Sequence, residues 1–78
     1  MDHDQARAVA LSEFAGRGES PDEWEIVGPR EETVVDLDGT VPCLVFDFMP
    51  RPEFDQGGRR FKLSIAVDPN TGEADMLR

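Results

Sequence analysis

The sequence is poor in the residues that build covalent cross-links, metal centres and membrane spans. Among its 78 residues, Cys43 is the single cysteine and His3 the single histidine. One cysteine excludes an internal disulfide, so no covalent cross-link compensates for the small core of so short a chain. The longest apolar runs, such as residues 41–46, are far shorter than the about 20 residues of a transmembrane helix, and the N-terminus is acidic where a signal peptide is basic. These absences predict a soluble cytoplasmic protein with no membrane partner.

Positive charge is also scarce. Lys and Arg number 8 against 17 Asp and Glu, which gives a formal net charge of −9. Proteins hold a phosphate backbone with cations that displace its counterions, so nucleic acid is not an expected partner. The carboxylates instead form a solvated surface that can also steer a basic protein towards the molecule.

Apolar residues are nevertheless abundant enough for a folded core. Val, Ile, Leu and Phe supply 19 of the 78 residues. This share exceeds the roughly 20% below which a charged chain is expected to stay disordered. A chain of this length has room for one small domain, which we assign to residues 1–78.

The first segment, residues 2–15, has the pattern of an amphipathic helix. Asp2 and Gln5 have the spacing of a capping box, in which each side chain accepts a hydrogen bond from the other residue's backbone. The apolar stripe comprises Ala6, Ala10, Leu11, Phe14 and Ala15. Gly16 tolerates the left-handed backbone that commonly ends a helix, so the helix is predicted to stop there.

After the helix, the apolar period changes from 3.6 to 2, which is typical of consecutive antiparallel strands in the remaining segment, residues 24–78. The predicted strands are residues 24–27, 33–37, 41–49 and 60–67, with a short last strand through Met76 and Leu77. The dipeptide Asp38-Gly39 favours a tight hairpin turn between two of them. One helix followed by a meander of four or five strands predicts an α+β fold of the cystatin-like kind, with the helix packed on one face of the sheet.

Alternation divides the strand residues between two faces. The predicted core consists of Leu11, Phe14, Trp24, Ile26, Val35, Leu37, Leu44, Phe46, Phe48, Phe61, Leu63, Ile65 and Val67. The opposite face, called the reverse face below, is predicted to carry Glu25, Val27, Val34, Asp36, Cys43, Val45, Asp47, Lys62, Ser64 and Ala66.

The reverse face is more apolar than a fully solvated sheet face normally is. We therefore expect Val34, Asp36, Val45 and Asp47 to bind a protein partner or a second copy of the chain. Cross-strand valine pairs, each adding roughly 0.2–1 kcal/mol to the stability of a sheet, explain the same pattern without any partner.

Residues 34–40, with the sequence Val-Val-Asp-Leu-Asp-Gly-Thr, resemble the first motif of haloacid dehalogenase-type phosphatases. The resemblance implies that Asp36 is a nucleophile towards phosphate, that Asp38 is a general acid/base and that magnesium lies between them. Those enzymes need a doubly wound parallel sheet, whereas a hairpin turn at Asp38-Gly39 accounts for the same residues. We therefore expect a protein that is not an enzyme and has no cofactor or metal, with the phosphatase as a third interpretation.

Four features follow one another along the chain, namely the alanine-rich helix, Trp24, Val-Phe-Asp-Phe at residues 45–48 and Ile-Ala-Val-Asp-Pro-Asn-Thr-Gly-Glu at residues 65–73. In this order they resemble the immunity protein 35 family of small cytoplasmic bacterial proteins. The resemblance implies a helix on an antiparallel sheet and a role in neutralising a toxin. The closing motif is also similar to that of PepSY-type domains, which resemble cystatin-like inhibitory modules.

The expected function is accordingly a non-catalytic, acidic protein-binding module, an immunity-type inhibitor whose partner is a basic toxin domain. The alternative is a structural protein that self-associates into a homodimer through the same face.

Overall fold

In the part of the chain that the structure describes, four antiparallel strands form one sheet and a helix packs on it. The structure is a computed structural model that describes residues 1–37, 39–55 and 61–77, with the backbone alone at Asp36. The elements are α1 (His3–Gly16), β1 (Trp24–Asp36), β2 (Gly39–Pro50), β3 (Leu63–Val67) and β4 (Ala74–Leu77), and the strands lie in the spatial order β1-β2-β3-β4. The predicted α+β fold is confirmed.

Helix α1 begins with the capping box that the sequence predicts. The backbone N–H of Gln5 donates to Asp2 Oδ1 at 2.8 Å, and the Asp2 N–H donates to Gln5 Oε1 at 3.1 Å. Ala6, Ala10 and Phe14 have no exposed surface. Because the two alanines are small, α1 lies close against the sheet, and the Phe14 ring reaches the strands.

The Phe14 ring anchors α1 to the sheet. Its centroid lies 4.1 Å from that of Phe48 in a stacked arrangement and 5.2 Å from that of Trp24 edge to face. The buried helix-side core consists of Ala6, Ala10, Phe14, Trp24, Leu44, Phe46, Phe48, Ile65 and Val67, and Leu11, Ile26 and Leu63 pack against it partly buried. Each large side chain buried in this way contributes about 1.5–3 kcal/mol.

Strand β1 joins the two strands that the sequence predicts at residues 24–27 and 33–37. Val27 pairs with Asp47 and Arg30 with Val45, so Gly28 and Pro29 together lie opposite one residue of β2 and form a β-bulge. Gly28 has a φ of +125°, and a Cβ atom there would lie 2.8 Å from the carbonyl oxygen of Val45. Glycine alone fits this position.

The β1–β2 hairpin is longer than the rest of the sheet. Strand β3 pairs with β2 from Phe48 to Leu44, whereas β1 follows β2 as far as the pair Asp36–Gly39. Residues 32–36 and 39–43, called the hairpin arm below, therefore extend beyond β3. The hairpin expected near Asp38-Gly39 is present, with Gly39 as the first residue of β2 and Asp38 outside the described residues.

The hairpin arm explains two wrong core predictions. Val35 is 78% exposed and Leu37 fully exposed. The register places Val35 on the same face as Leu44, as alternation predicts, but no described element covers this part of the hairpin. Leu37 lies in the turn that follows β1.

Phe61 is the third wrong core prediction. It is 77% exposed because β3 begins at Leu63 rather than near residue 60. The β2–β3 register, continued backwards, would place Phe61 opposite Pro50, which has no N–H group to donate to a neighbouring strand. Arg60 lies outside the described residues.

Replacement of Gly28 tests the bulge. Gly28→Ala is expected to lower the free energy of unfolding by about 1–3 kcal/mol, because alanine strains the backbone at positive φ and its Cβ meets the Val45 carbonyl. Gly16→Ala is the matched control, since a Cβ there meets no atom within 4 Å. Equal stabilities of the two variants in urea denaturation would contradict the bulge geometry.

Candidate functional site

A second cluster of buried apolar side chains lies on the reverse face. Cys43, Val45 and Ala66 are buried there, and Val45 has no exposed surface at all. Three partly buried side chains pack against them, namely Val34, Val41 and Leu77. We call these six residues the reverse-face cluster. Side chains of β2 are therefore buried on both faces of the sheet, although the helix covers only one face.

The strand register brings the cluster together. Val34 lies opposite Val41 on the β1–β2 pair, and Val45 lies opposite Ala66 on the β2–β3 pair. The bulge at Gly28 shifts the alternation of β1 by one residue, so that Val27 before it and both Arg30 and Val34 after it lie on the reverse face. Without that extra residue, the valine would point to the helix side.

A groove opens where β3 stops. Beyond Leu44, the flank of β2 has no strand beside it in the described chain, and the β3–β4 turn lies next to the hairpin arm. The groove has a volume of about 100 Å³. Its lining consists of Val34, Val41, Cys43, Ala66, Asp68, Glu73, Asp75 and Leu77. Most of the reverse-face cluster thus forms the groove floor.

The β3–β4 turn holds its shape through backbone hydrogen bonds. The Asp68 N–H donates to the Glu73 carbonyl, and the Gly72 N–H donates to the Asp68 carbonyl, both at 2.8 Å. The Asn70 N–H donates to Asp68 Oδ1, also at 2.8 Å. These bonds fix the positions from which Asp68 and Glu73 line the groove.

Among the residues that the structure describes, the groove rim carries negative charge without a basic neighbour in the lining. Asp68, Glu73 and Asp75 contribute three carboxylates, and the groove lining contains no basic residue. The ion pairs of the described residues join Arg17 to Glu13 and Arg30 to both Glu32 and Asp47, and none of them includes a rim carboxylate. The rim therefore presents an attractive potential to a cation.

Beside the cluster, Asp47 is held by a polar network that crosses three strands. Its Oδ2 accepts from Arg30 Nε at 3.1 Å, and its Oδ1 accepts from Arg30 Nη2 at 3.3 Å and from Ser64 Oγ at 2.5 Å. The Arg30 guanidinium hydrogen-bonded to Asp47 lowers the pKa of this carboxyl below its usual value of 3.8, against the opposing effect of burial. The hydrogen bond from Ser64 and the charge of Lys62 lower this pKa further.

The four residues predicted to bind a partner lie in different environments. Val34 is partly buried and lines the groove, whereas Val45 is fully buried beneath it. Asp47 keeps 15% of its side chain exposed and is occupied by Arg30 and Ser64. Asp36 pairs with Gly39 at the end of the hairpin arm. A partner can thus contact Val34 directly, while Val45 and Asp47 support the surface; binding itself stays a prediction.

The phosphatase-like string folds as an antiparallel hairpin. Asp36 pairs with Gly39 across the turn, and the described strands are all antiparallel. The parallel sheet that such phosphatases need is therefore missing from the described chain, and Asp38 lies outside it. No three His, Cys, Asp or Glu side chains converge on a possible metal site within residues 1–37, 39–55 and 61–77.

Several residues of this site do not follow from the sequence predictions. Arg30 lies beyond the predicted first strand, residues 24–27, and the continued alternation of Arg30, Glu32 and Val34 is the signal that identifies it. Leu77 and the rim carboxylates come from segments that are distant in sequence, and only the β2–β3 register brings them to the hairpin arm.

A larger cleft lies on the other side of the molecule, between α1 and the start of β1. Its volume is about 670 Å³, and Arg7, Trp24 and Arg51 are among its lining residues. Asp22 and Glu25 line it as well, so opposite charges balance. It lacks the single-sign charge that distinguishes the groove.

Comparison with protein-family models, with curated proteins and with solved structures returned no match to this chain. The part of the chain that the structure describes contains no helix with the length and apolar character of a membrane-crossing segment.

The Asp47 network makes stability depend on pH. Asp47→Asn is expected to lower the free energy of unfolding by about 1–3 kcal/mol near neutral pH, because Arg30 loses its charged partner and one of the two oxygens that accept from it becomes an NH2 donor. The folded-state pKa of Asp47 is depressed, so this contribution is complete above its usual value of 3.8 and disappears as pH falls through the folded-state pKa. The difference between the two proteins should therefore shrink in acid.

Urea denaturation across this pH range measures the effect. Glu53→Gln is the matched control, because it removes one exposed carboxylate in the turn Pro52–Phe54 and leaves the network intact. A wild-type minus Asp47→Asn difference that is constant with pH, or no larger than that of the control, would contradict the network.

Proposed function

We propose that this protein is a non-catalytic binding module, an immunity-type inhibitor that acts in the cytoplasm and binds a basic toxin domain through its reverse face. The observation that carries the proposal is the groove itself. Apolar side chains that are buried or partly buried form its floor, and carboxylates without a described cation form its rim. Apolar floors with polar rims are typical of surfaces that bind other proteins.

The two parts of this surface have different effects on binding. Rim carboxylates raise the rate at which a basic partner is captured, and this effect weakens as salt screens it. Apolar contacts at Val34, Val41 and Leu77 slow dissociation instead. The net charge of −9 favours the same kind of partner at long range.

The resemblance to the immunity protein 35 family gives the proposal its biological role. Its motif at residues 65–73 includes the turn that supplies Asp68 and Glu73 to the groove rim. Its motif at residues 45–48 includes Val45 and Asp47, which lie under and beside the groove. Support therefore comes from stretches that meet at one surface, although they are separate in sequence.

Co-expression tests the biological role. The protein encoded beside the gene for this chain is expected to arrest bacterial growth when produced alone, and co-expression of this chain should restore growth. Complex formation by the two purified proteins is expected to accompany that rescue. A neighbour that does not impair growth, or arrest that persists despite full expression of this chain, would contradict the inhibitor role.

A pair of adjacent valines tests which face binds. Val34→Ser is expected to raise the dissociation rate of that complex by about 5-fold or more, because a partly buried apolar contact is lost. Val35→Ser is the matched control, since Val35 is exposed on the opposite face of the same arm. Equal effects of the two substitutions on the dissociation rate, measured by biolayer interferometry, would contradict binding through the reverse face.

Self-association is the competing function for the same face. Two copies would bring two acidic rims together, and like charges across an interface disfavour association. We therefore expect light scattering at micromolar concentration to give the monomer mass of 8.7 kDa. Twice that mass, with an interface that Val34→Ser disrupts, would support the homodimer instead.

A further inference from the structure

The groove is too small for a metabolite and large enough for a single side chain. Sites for small organic ligands usually enclose about 300–1,000 Å³. The groove encloses about 100 Å³, whereas one water molecule occupies about 30 Å³ in the liquid. Its occupant should therefore be one extended group on a larger molecule.

The lining specifies an occupant that is apolar along its length and positive at its end. Val34, Val41 and Leu77 present methyl groups along the floor, and Glu73 and Asp75 are exposed at the rim. Long basic side chains bury an aliphatic stem on apolar surface while the charged end reaches polar groups. An acidic side chain would be repelled by the rim carboxylates. A neutral polar side chain would leave their charge unbalanced.

Arginine fits this lining better than lysine. A guanidinium is planar, binds two carboxylate oxygens at once and is more weakly hydrated than an ammonium group, so it loses less when it leaves water. Asp68, Glu73 and Asp75 give it several carboxylates over an apolar floor. Arg17 and Arg30 of this chain form ion pairs with Glu13 and Asp47, which do not line the groove.

From this lining we infer that the groove is the anchor site for one arginine side chain of the protein partner. The inference rests on the proposed function, because it names the chemistry by which the reverse face recognises its partner. Val34 and Val41 contact the aliphatic stem, and the three rim carboxylates bind the guanidinium. Central anchors of this kind, with arginine prominent among them, supply most of the binding energy of many interfaces.

Small arginine probes test the anchor directly. N-acetyl-arginine methylamide is titrated into the isotope-labelled protein and followed by ¹H–¹⁵N NMR, with the citrulline and lysine analogues in parallel. The arginine probe is expected to shift the amides of Val41, Ala66 and Leu77 in a saturable way, with Kd near about 1–10 mM for so small a ligand. Citrulline has the same length without the charge and should bind at least about 5-fold more weakly.

Paired variants separate the groove from the general acidity of the molecule. Glu73→Gln/Asp75→Asn removes two rim charges and is expected to weaken arginine binding at least about 5-fold. Asp22→Asn/Glu53→Gln removes the same charge outside the groove lining and should leave binding within about 2-fold. Shifts scattered over the whole surface, or equal losses in both variants, would overturn the inference.

Two further outcomes would also overturn it. Lysine binding as tightly as arginine would replace the guanidinium site with a general cation site. Arg78 follows Leu77 in the sequence, so Arg78→Gln tests an occupant from the chain itself. An arginine affinity that rises more than about 3-fold in this variant would assign the groove to that internal cation.

These results are distinguishable from a failure of the proposed function. Rescue of growth and a Val34-dependent complex, together with no arginine binding in the groove, would refute the anchor and leave the inhibitor intact. Saturable arginine binding without any complex or rescue would refute the inhibitor and leave the groove as an arginine site.

Discussion

The structure depends on the burial of neighbouring β2 residues on opposite faces of the sheet. Phe46 and Val45 both lack exposed surface. Phe46 points to α1, where the helix buries it, whereas Val45 points to the reverse face, where β1 and β4 side chains pack around it with Ala66. Because one helix cannot cover two faces, the second layer of burial comes from the sheet's own side chains, and a small chain gains a second apolar cluster.

The unequal lengths of β2 and β3 decide what the reverse face can do. Strand β2 spans twelve residues and β3 five, so the outer part of β2 extends past its neighbour and its flank stays open. Pro42 is tolerated in that part of β2, where it has no β3 partner and its missing N–H costs little. The same mismatch places the β3–β4 turn, with its carboxylates, against the hairpin arm.

The sequence pattern predicts the face of the sheet on which a residue lies more accurately than it predicts whether another element covers that residue. The capping box at Asp2, the strand order and most of the core follow from spacing between neighbours. Val35 and Phe61 obey the same alternation yet are exposed, because coverage depends on where the pairing with distant strands ends. The groove escaped prediction for that reason: its floor comes from all four strands, and its rim from the last turn and the start of β4.

Amide hydrogen exchange along β2 tests the strand mismatch most directly. The account predicts protection close to the global free energy of unfolding for Val45–Phe48, which has a strand on either side. The amides of residues 39–41 and of Cys43, which have a described strand on one side only, should exchange far faster, because the hairpin arm can open without unfolding the rest of the sheet. Uniform protection along the whole of β2 in the isolated monomer would contradict it, because that flank would then be paired and the groove closed.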